Sequence, residues 1–160
     1  MEKQLIIYTD GAARGNPGPG GYGIIMKWGE VQKEFSQGFR RTTNNRMELM
    51  AVIVALQQLK KEGLDIIVYS DSSYVVDAVE KGWLYSWIKK GFKDKKNPDL
   101  WMQYYKLAQK HRVKLVWVKG HANNPYNNRC DQLATQAADS GNLLIDEGYE
   151  KMQMNKNHLL

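Results

Sequence analysis

A short apolar run that ends on a carboxylate and passes directly into a glycine-rich segment constrains this chain more than any other feature. Leu5, Ile6, Ile7 and Tyr8 form a β-branched and aromatic run of the kind found in strands covered on both faces, so a central position in a sheet is predicted. Asp10 follows at the strand's end, at the rim of an apolar core, where an ionised group is costly unless a cation or hydrogen-bond donors meet it. The next residues, GAARGNPGPGG, carry glycines that favour positive φ and two prolines without an N–H. They predict a shaped loop that continues neither strand nor helix, set against the carboxylate. Taken alone, Asp10 is also accounted for as an aspartate that opens a turn.

A chain of 160 residues fits one domain with a substantial core, expected over residues 1–150, with a polar tail at 151–160. The excess of 23 Lys and Arg over 17 Asp and Glu gives a net charge of +6, which favours an anionic partner. One cysteine, Cys130, excludes an internal disulfide framework and suits a reducing compartment. No apolar run approaches the roughly 18 residues that cross a bilayer, and Met1-Glu2-Lys3 leads into a strand instead of a signal peptide. A cytoplasmic, monomeric protein without membrane association is expected.

Residues 22–28 and 31–39 read as two strands joined at Gly29-Glu30, an antiparallel hairpin. TTNNRMELMAVIVALQQLKKEG follows as the most apolar helix, with Asn44 or Asn45 as its cap, Leu49, Val52, Ile53 and Leu56 at helical spacing, and Gly63 as its stop. Glu48 lies three residues after Asn45, where a capping box places its glutamate; the apolar neighbours Met47, Leu49 and Met50 equally allow it to face the sheet's edge. DIIVYS then repeats the opening pattern, a buried run ending at Asp71, which either caps the helix that follows or joins Asp10 at the rim. Asn97-Pro98-Asp99 starts another helix, running to about His111. The fifth strand, VKLVWVK, enters a loop that carries His121, and the last helix, from about Tyr126 to Asp139, has Asp131 in its first turns.

Strand–helix alternation brings strand ends and helix starts to one rim, so Asp10, Glu48, Asp71 and Asp131 are expected to converge. Converging carboxylates repel and raise one another's pKa unless a cation joins them. With oxygen donors only, the site suits Mg2+, with Mn2+ as a substitute. Two such ions activate a water and stabilise the leaving oxygen in phosphodiester cleavage. Lys89, Lys90, Lys93, Lys95 and Lys96 supply a matching phosphate grip, because five lysines within eight residues repel one another unless an anion or solvent screens them. Trp83 and Trp87 are interleaved with them; rings at this spacing serve packing first and can also rest against sugars or bases.

The blocks YTDGAARGNPGPGGYG, TTNNRMELMAVIVAL, the DS of YSDSSYV, VKGHANNP and NNRCDQLA resemble those of type I ribonuclease H, in that family's order and spacing, and the chain is similar to the bacterial form over nearly its whole length. The resemblance implies hydrolysis of the RNA strand of RNA/DNA hybrids, with Asp10, Glu48, Asp71 and Asp131 holding two Mg2+ and with 5'-phosphate and 3'-hydroxyl products. It implies a proton-shuttling or product-releasing role for His121 in a mobile loop. It also places Asn16, Asn44 and Asn45 in the hybrid's minor groove and Thr43 on a phosphate of the DNA strand. Hydroxyls at the 2' position on one strand alone let a protein tell RNA from DNA without reading sequence.

The chain departs from the family pattern at Ser73, where many bacterial members have a glutamine that reaches the groove, and at Asn123-Asn124, which alters a glycine-containing histidine loop. The fold expected is α/β, a five-stranded mixed sheet whose first three strands are antiparallel, with helices on both faces. Another nuclease or strand-transfer enzyme of the same superfold is the enzymatic alternative, and a nucleic-acid binding module without chemistry is the other. The Thr43-Asn44-Asn45 block disfavours the first and the presence of all four acids disfavours the second.

Overall fold

The structure, a computed structural model, describes residues 4–120 and 123–157. It opens with three strands, β1 (Leu5–Ala13), β2 (Gly18–Trp28) and β3 (Val31–Thr42), joined antiparallel. Helix α1 (Asn44–Gln57) leads to β4 (Asp65–Ser70), which returns parallel to β1. Then come α2 (Ser73–Glu80), α3 (Trp83–Lys89), α4 (Pro98–Ala108), β5 (Arg112–Trp117) and α5 (Pro125–Asp139). The chain closes with β6 (Leu143–Leu144) and α6 (Glu147–Asn157). The sheet order β5-β4-β1-β2-β3-β6 puts β1 at the centre, as its apolar run requires.

The sheet has six strands where five are predicted, because two residues beyond α5 pair with the edge of β3. So short a strand has no periodicity to read. The glycine segment departs further from expectation: β1 runs through Gly11 to Ala13 and β2 starts at Gly18, so only residues 14–17 are loop, closed by the Arg14 amide donating to the Pro19 carbonyl at 2.6 Å. Gly21, and with it Gly23 and Gly38, lie in strand directly under α5. A β-carbon at Gly21 would stand 2.5 Å from the Ala134 carbonyl oxygen, and one at Gly23 or Gly38 would strike the carbonyls of Cys130 or Ala137. These strands lack side chains so that a helix backbone can approach.

Alternation along β2 then splits the interior. Ile24 faces the main core with Ile7, Val68, Leu115 and the apolar sides of α1, α2 and α4, while Ile25 faces Cys130 and Leu133 of α5. Helices therefore cover both faces, as predicted.

A buried charge stitches the main layer together. Arg46, 1% exposed, donates to Asp99 at 2.7 and 3.0 Å and to Asp146 at 2.8 and 2.9 Å. Asp146, also buried, accepts from the Thr42 hydroxyl at 2.7 Å and the Tyr149 amide at 3.2 Å. Four elements, β3, α1, α4 and α6, thus meet at one guanidinium. Residues 151–157 of the expected polar tail form the second half of α6, whose first turn buries Tyr149; the remainder of that tail lies outside the described residues.

Candidate active site

β1 pairs in parallel with β4 from Leu5↔Ile66 to Thr9↔Ser70, so Asp10, the next residue of β1, and Asp71, just past β4, emerge at the same rim, and α1 crosses above them. Its fifth residue is Glu48, which faces the rim. The crossing is close because Gly11 has no side chain: a β-carbon there would strike the backbone of Met47 and Glu48. Carboxylate oxygens of Asp10, Glu48 and Asp71 lie within 4.8 Å of one another. Asp131, in the second turn of α5, lines the same cleft of about 410 Å3 without joining that cluster. The Gly11 amide donates to Asp10 Oδ1 at 2.8 Å and also to Glu48 Oε1, one backbone dipole serving two acids.

The charge is under-compensated. Burial, with Asp71 and Asp131 adding repulsion, pushes the Asp10 carboxyl up to about 7, and burial beside Asp10 pushes Glu48 well above the ordinary carboxylate range. Among the described residues neither lysine nor arginine lines the cleft, which is formed by Asp10, Gly11, Ala12, Asn44, Asn45, Glu48, Asp71, Ser72, Ser73, Tyr74 and Asp131. A buried all-oxygen set of like charges fits a hard divalent cation, and its donors do not suit a soft one.

Beside the acids, Asn44 and Asn45 are exposed at the start of α1. Neither caps the helix. Thr43 does, its hydroxyl accepting from the Arg46 amide at 3.3 Å, so Glu48 is not at a capping-box position and its carboxylate is free for the cluster. Asn16 Oδ1 accepts from the Asn44 amide at 3.0 Å, which joins the 14–17 loop to this helix start and leaves the Asn16 NH2 free to donate outward. On the far side Ser72, not Asp71, caps α2 through the Val75 amide at 3.2 Å, so Asp71 too is released from a capping role. Ser73 is exposed on the cleft wall.

The family profile of RNase H matches residues 2–139. The chain belongs to the ribonuclease H family. A ribonuclease H of Desulforamulus reducens is 54% identical over 149 residues, covering 90% of this chain and 93% of its own. One from Syntrophomonas wolfei is 51% identical over 143 residues, covering 86% and 98%. Among solved structures, LC9-RNase H1, a type 1 RNase H with the type 2 active-site motif, aligns with a TM-score of 0.76 at 29% identity over 94% of this chain and 80% of its own. LC11-RNase H1, solved in complex with RNA/DNA hybrid, aligns with a TM-score of 0.64 at 29% identity over 85% and 97%.

In this ribonuclease H the basic segment projects from α3 through turns in which Gly91, Phe92, Asp94 and Asn97 all have positive φ. Lys89, Lys90, Lys93, Lys95 and Lys96 are all exposed and form no ion pair among the described residues; Lys95 sits 5.3 Å from the Trp87 ring centroid. Trp87 packs edge-on against the buried Trp101 at 5.8 Å and belongs to the core, whereas Trp83 is 46% exposed. Asn97 occupies the cap position of α4 but makes no capping bond. Its side chain instead donates to the Tyr74 hydroxyl at 3.1 Å and accepts from Arg46 at 3.2 Å, a use that follows from its φ of 63°.

His121 lies outside the described residues. Its flanks are described: Gly120 abuts Asp71, and Asn124 caps α5 by accepting from the amides of Tyr126 and Asn127 at 3.0 and 3.1 Å. Asn124 therefore gives the altered histidine loop a fixed downstream end. Sequence reasoning misses the Gly11 amide, since a backbone donor leaves no side-chain signal beyond the glycine itself. It also misses Arg46, whose only sign is a charge within an otherwise apolar helical face.

Proposed function

We propose that this protein hydrolyses the RNA strand of RNA/DNA hybrids endonucleolytically, with two Mg2+ ions at the carboxylate cluster, and leaves 5'-phosphate and 3'-hydroxyl ends. The observation that carries the proposal is the convergence of Asp10, Glu48 and Asp71, from three separate elements, within 4.8 Å in a cleft walled by Asn44 and Asn45. Asp10, Glu48, Asp71 and Asp131 are the residues that would hold the metal, and Mn2+ is the expected substitute. When bound there, the ions supply an activated water and stabilise the leaving oxygen.

The protein's own groups do the remaining work. The Gly11 amide orients Asp10 and Glu48 by one shared contact, fixing two ligands before substrate arrives. Asn16, with its carbonyl oxygen engaged by Asn44, presents donors to groove acceptors, and the Asn44 and Asn45 amides meet 2'-hydroxyls on the RNA strand. Thr43 accepts from the helix through its oxygen and retains its proton for a phosphate oxygen. The five exposed lysines neutralise backbone phosphates at a distance from the reacting one. His121 accepts or delivers a proton during cleavage or product departure. The exposed Ser73 is too short to replace a longer amide in the groove.

The relative solved with an RNA/DNA hybrid supports this substrate, and the exposed lysines and the amide-lined wall favour a duplex over a small phosphate ester. Incubation of end-labelled hybrid, duplex RNA and duplex DNA with Mg2+ or with EDTA tests it. Internal cuts in the RNA of the hybrid alone, dependent on Mg2+ and carrying 5'-phosphates, are expected. Cleavage of duplex RNA at a comparable rate, or cleavage in EDTA, would overturn it.

A further inference from the structure

Asp71 differs from its neighbours in what holds it. Asp10 and Glu48 share the Gly11 amide, but among the described residues no hydrogen bond reaches the Asp71 carboxylate. Its restraints come from the end of β5. The indole Nε1 of Trp117 donates to the Asp71 backbone carbonyl at 3.1 Å, and the Val118 amide donates to the preceding carbonyl, Ser70, at 2.9 Å. Trp117 leaves 52% of its surface open, so this contact, and not burial, is the polar use the structure makes of it.

Gly120 completes the arrangement. It is not among the glycines with positive φ, so backbone conformation does not require glycine there. A side chain would instead press on Asp71: a β-carbon at Gly120 would lie 2.8 Å from Asp71 Oδ2 and 3.6 Å from its Cβ and Cγ, which makes Asp71 its nearest neighbour among the described residues beyond the adjoining chain. We infer that Trp117 and Gly120 are positioning residues that clamp Asp71, the indole fixing its backbone and the glycine leaving the room its carboxylate occupies. The inference rests on Asp71 being a metal ligand. Ligand positions tolerate displacements of only about 0.5 Å, and groups that orient ligands typically change metal affinity about 10- to 100-fold when removed.

The test measures metal directly. Mn2+ binding to the full chain is followed by the electron paramagnetic resonance of free Mn2+ for wild type, Gly120→Ala, Trp117→Phe and Asp71→Asn. Thermal melts and hybrid affinity in EDTA serve as readouts that a clamp on Asp71 leaves unchanged. Gly120→Ala is expected to weaken Mn2+ binding about 10- to 100-fold. Trp117→Phe, which keeps an aromatic ring and removes the N–H, is expected to weaken it less but measurably, and excess Mg2+ restores cleavage in both. Should Gly120→Ala not fold, Trp117→Phe alone decides. Wild-type Mn2+ affinity in the clamp variants, alongside a loss in Asp71→Asn, overturns the clamp while sparing the metal site. Wild-type affinity in Asp71→Asn overturns the metal site and the clamp together, and a weakening matched by lower melting temperature and hybrid affinity assigns the two residues to fold stability instead.

Discussion

Replacing Asp10 by asparagine is expected to stabilise the metal-free protein while abolishing its activity. The carboxyl stands near 7 in the fold against 3.8 for an ordinary aspartate, a gap of about three pH units, or about 4 kcal/mol at 1.36 kcal/mol each. The sign follows from which state holds the proton. Between about pH 4 and 7 the folded chain keeps a proton that the unfolded chain has released, so this group's contribution falls as pH rises through that window and is flat above it. Asparagine has no such ionisation, and its carbonyl can still accept from the Gly11 amide. An imperfectly partnered amide offsets about 1–2 kcal/mol of the relief. A net gain of about 2 kcal/mol at pH 8 remains, a rise of roughly 4–8 °C in melting temperature for a domain of this size. Thermal melts by circular dichroism in EDTA, for both proteins at pH 4.5 and pH 8, measure it. A gain at pH 8 that shrinks at pH 4.5 is expected. A lower melting temperature for the variant at pH 8, or an equal gain at both pH values, would contradict the cost of ionising this buried carboxylate beside Asp71 and Asp131 as its source.

Asp146→Ala leaves Arg46, 1% exposed, with half of its charge partners, and should cost about 3–5 kcal/mol in urea unfolding; a loss under about 1 kcal/mol would show that the network stabilises little. Alanine at Lys89, Lys90, Lys93, Lys95 and Lys96 together should weaken hybrid binding and flatten its salt dependence by about 0.9 in log–log slope for each phosphate that is no longer neutralised, leaving single-turnover cleavage little changed; an unchanged slope refutes a phosphate grip by these lysines. His121→Ala should lower turnover by about 10²–10⁴ yet leave measurable cleavage, with a larger loss in steady state than in a single turnover if the residue acts on product departure; equal losses place it in the chemical step.

The sheet's centre and the acids are legible because each rests on a local pattern: an apolar run ending on a charge, twice, and acids in the early turns of apolar helices. The topology that brings them together follows from strand–helix alternation. What escapes the sequence depends on partners remote in the chain. Gly21 reads as part of a loop, whereas it lies in β2 and, like Gly23 and Gly38 in their strands, is left without a side chain for the backbone of α5, which enters about a hundred residues later. The cap of α1 moves from asparagine to Thr43 because Asn44 turns its amide to Asn16, and that single shift changes Glu48 from a capping glutamate into a cluster member. Asn97 carries every local sign of a cap, yet Arg46 and Tyr74 claim its side chain. Arg46 itself has no interpretation without Asp99 and Asp146, 53 and 100 residues away. The short β6 carries too few residues for a pattern to form.

Direct titration of Mg2+ into the protein with a labelled RNA/DNA hybrid, cleavage sites mapped at nucleotide resolution, tests the central proposal most closely. Wild type should cut the RNA strand internally, with activity that rises with Mg2+ and vanishes in EDTA, while Asp10→Asn, Glu48→Gln and Asp71→Asn each bind the hybrid and fail to cut it. Undiminished cutting by any of these three variants, or cutting of the DNA strand by wild type, would contradict the assignment of the carboxylate cluster as a hybrid-specific ribonuclease centre.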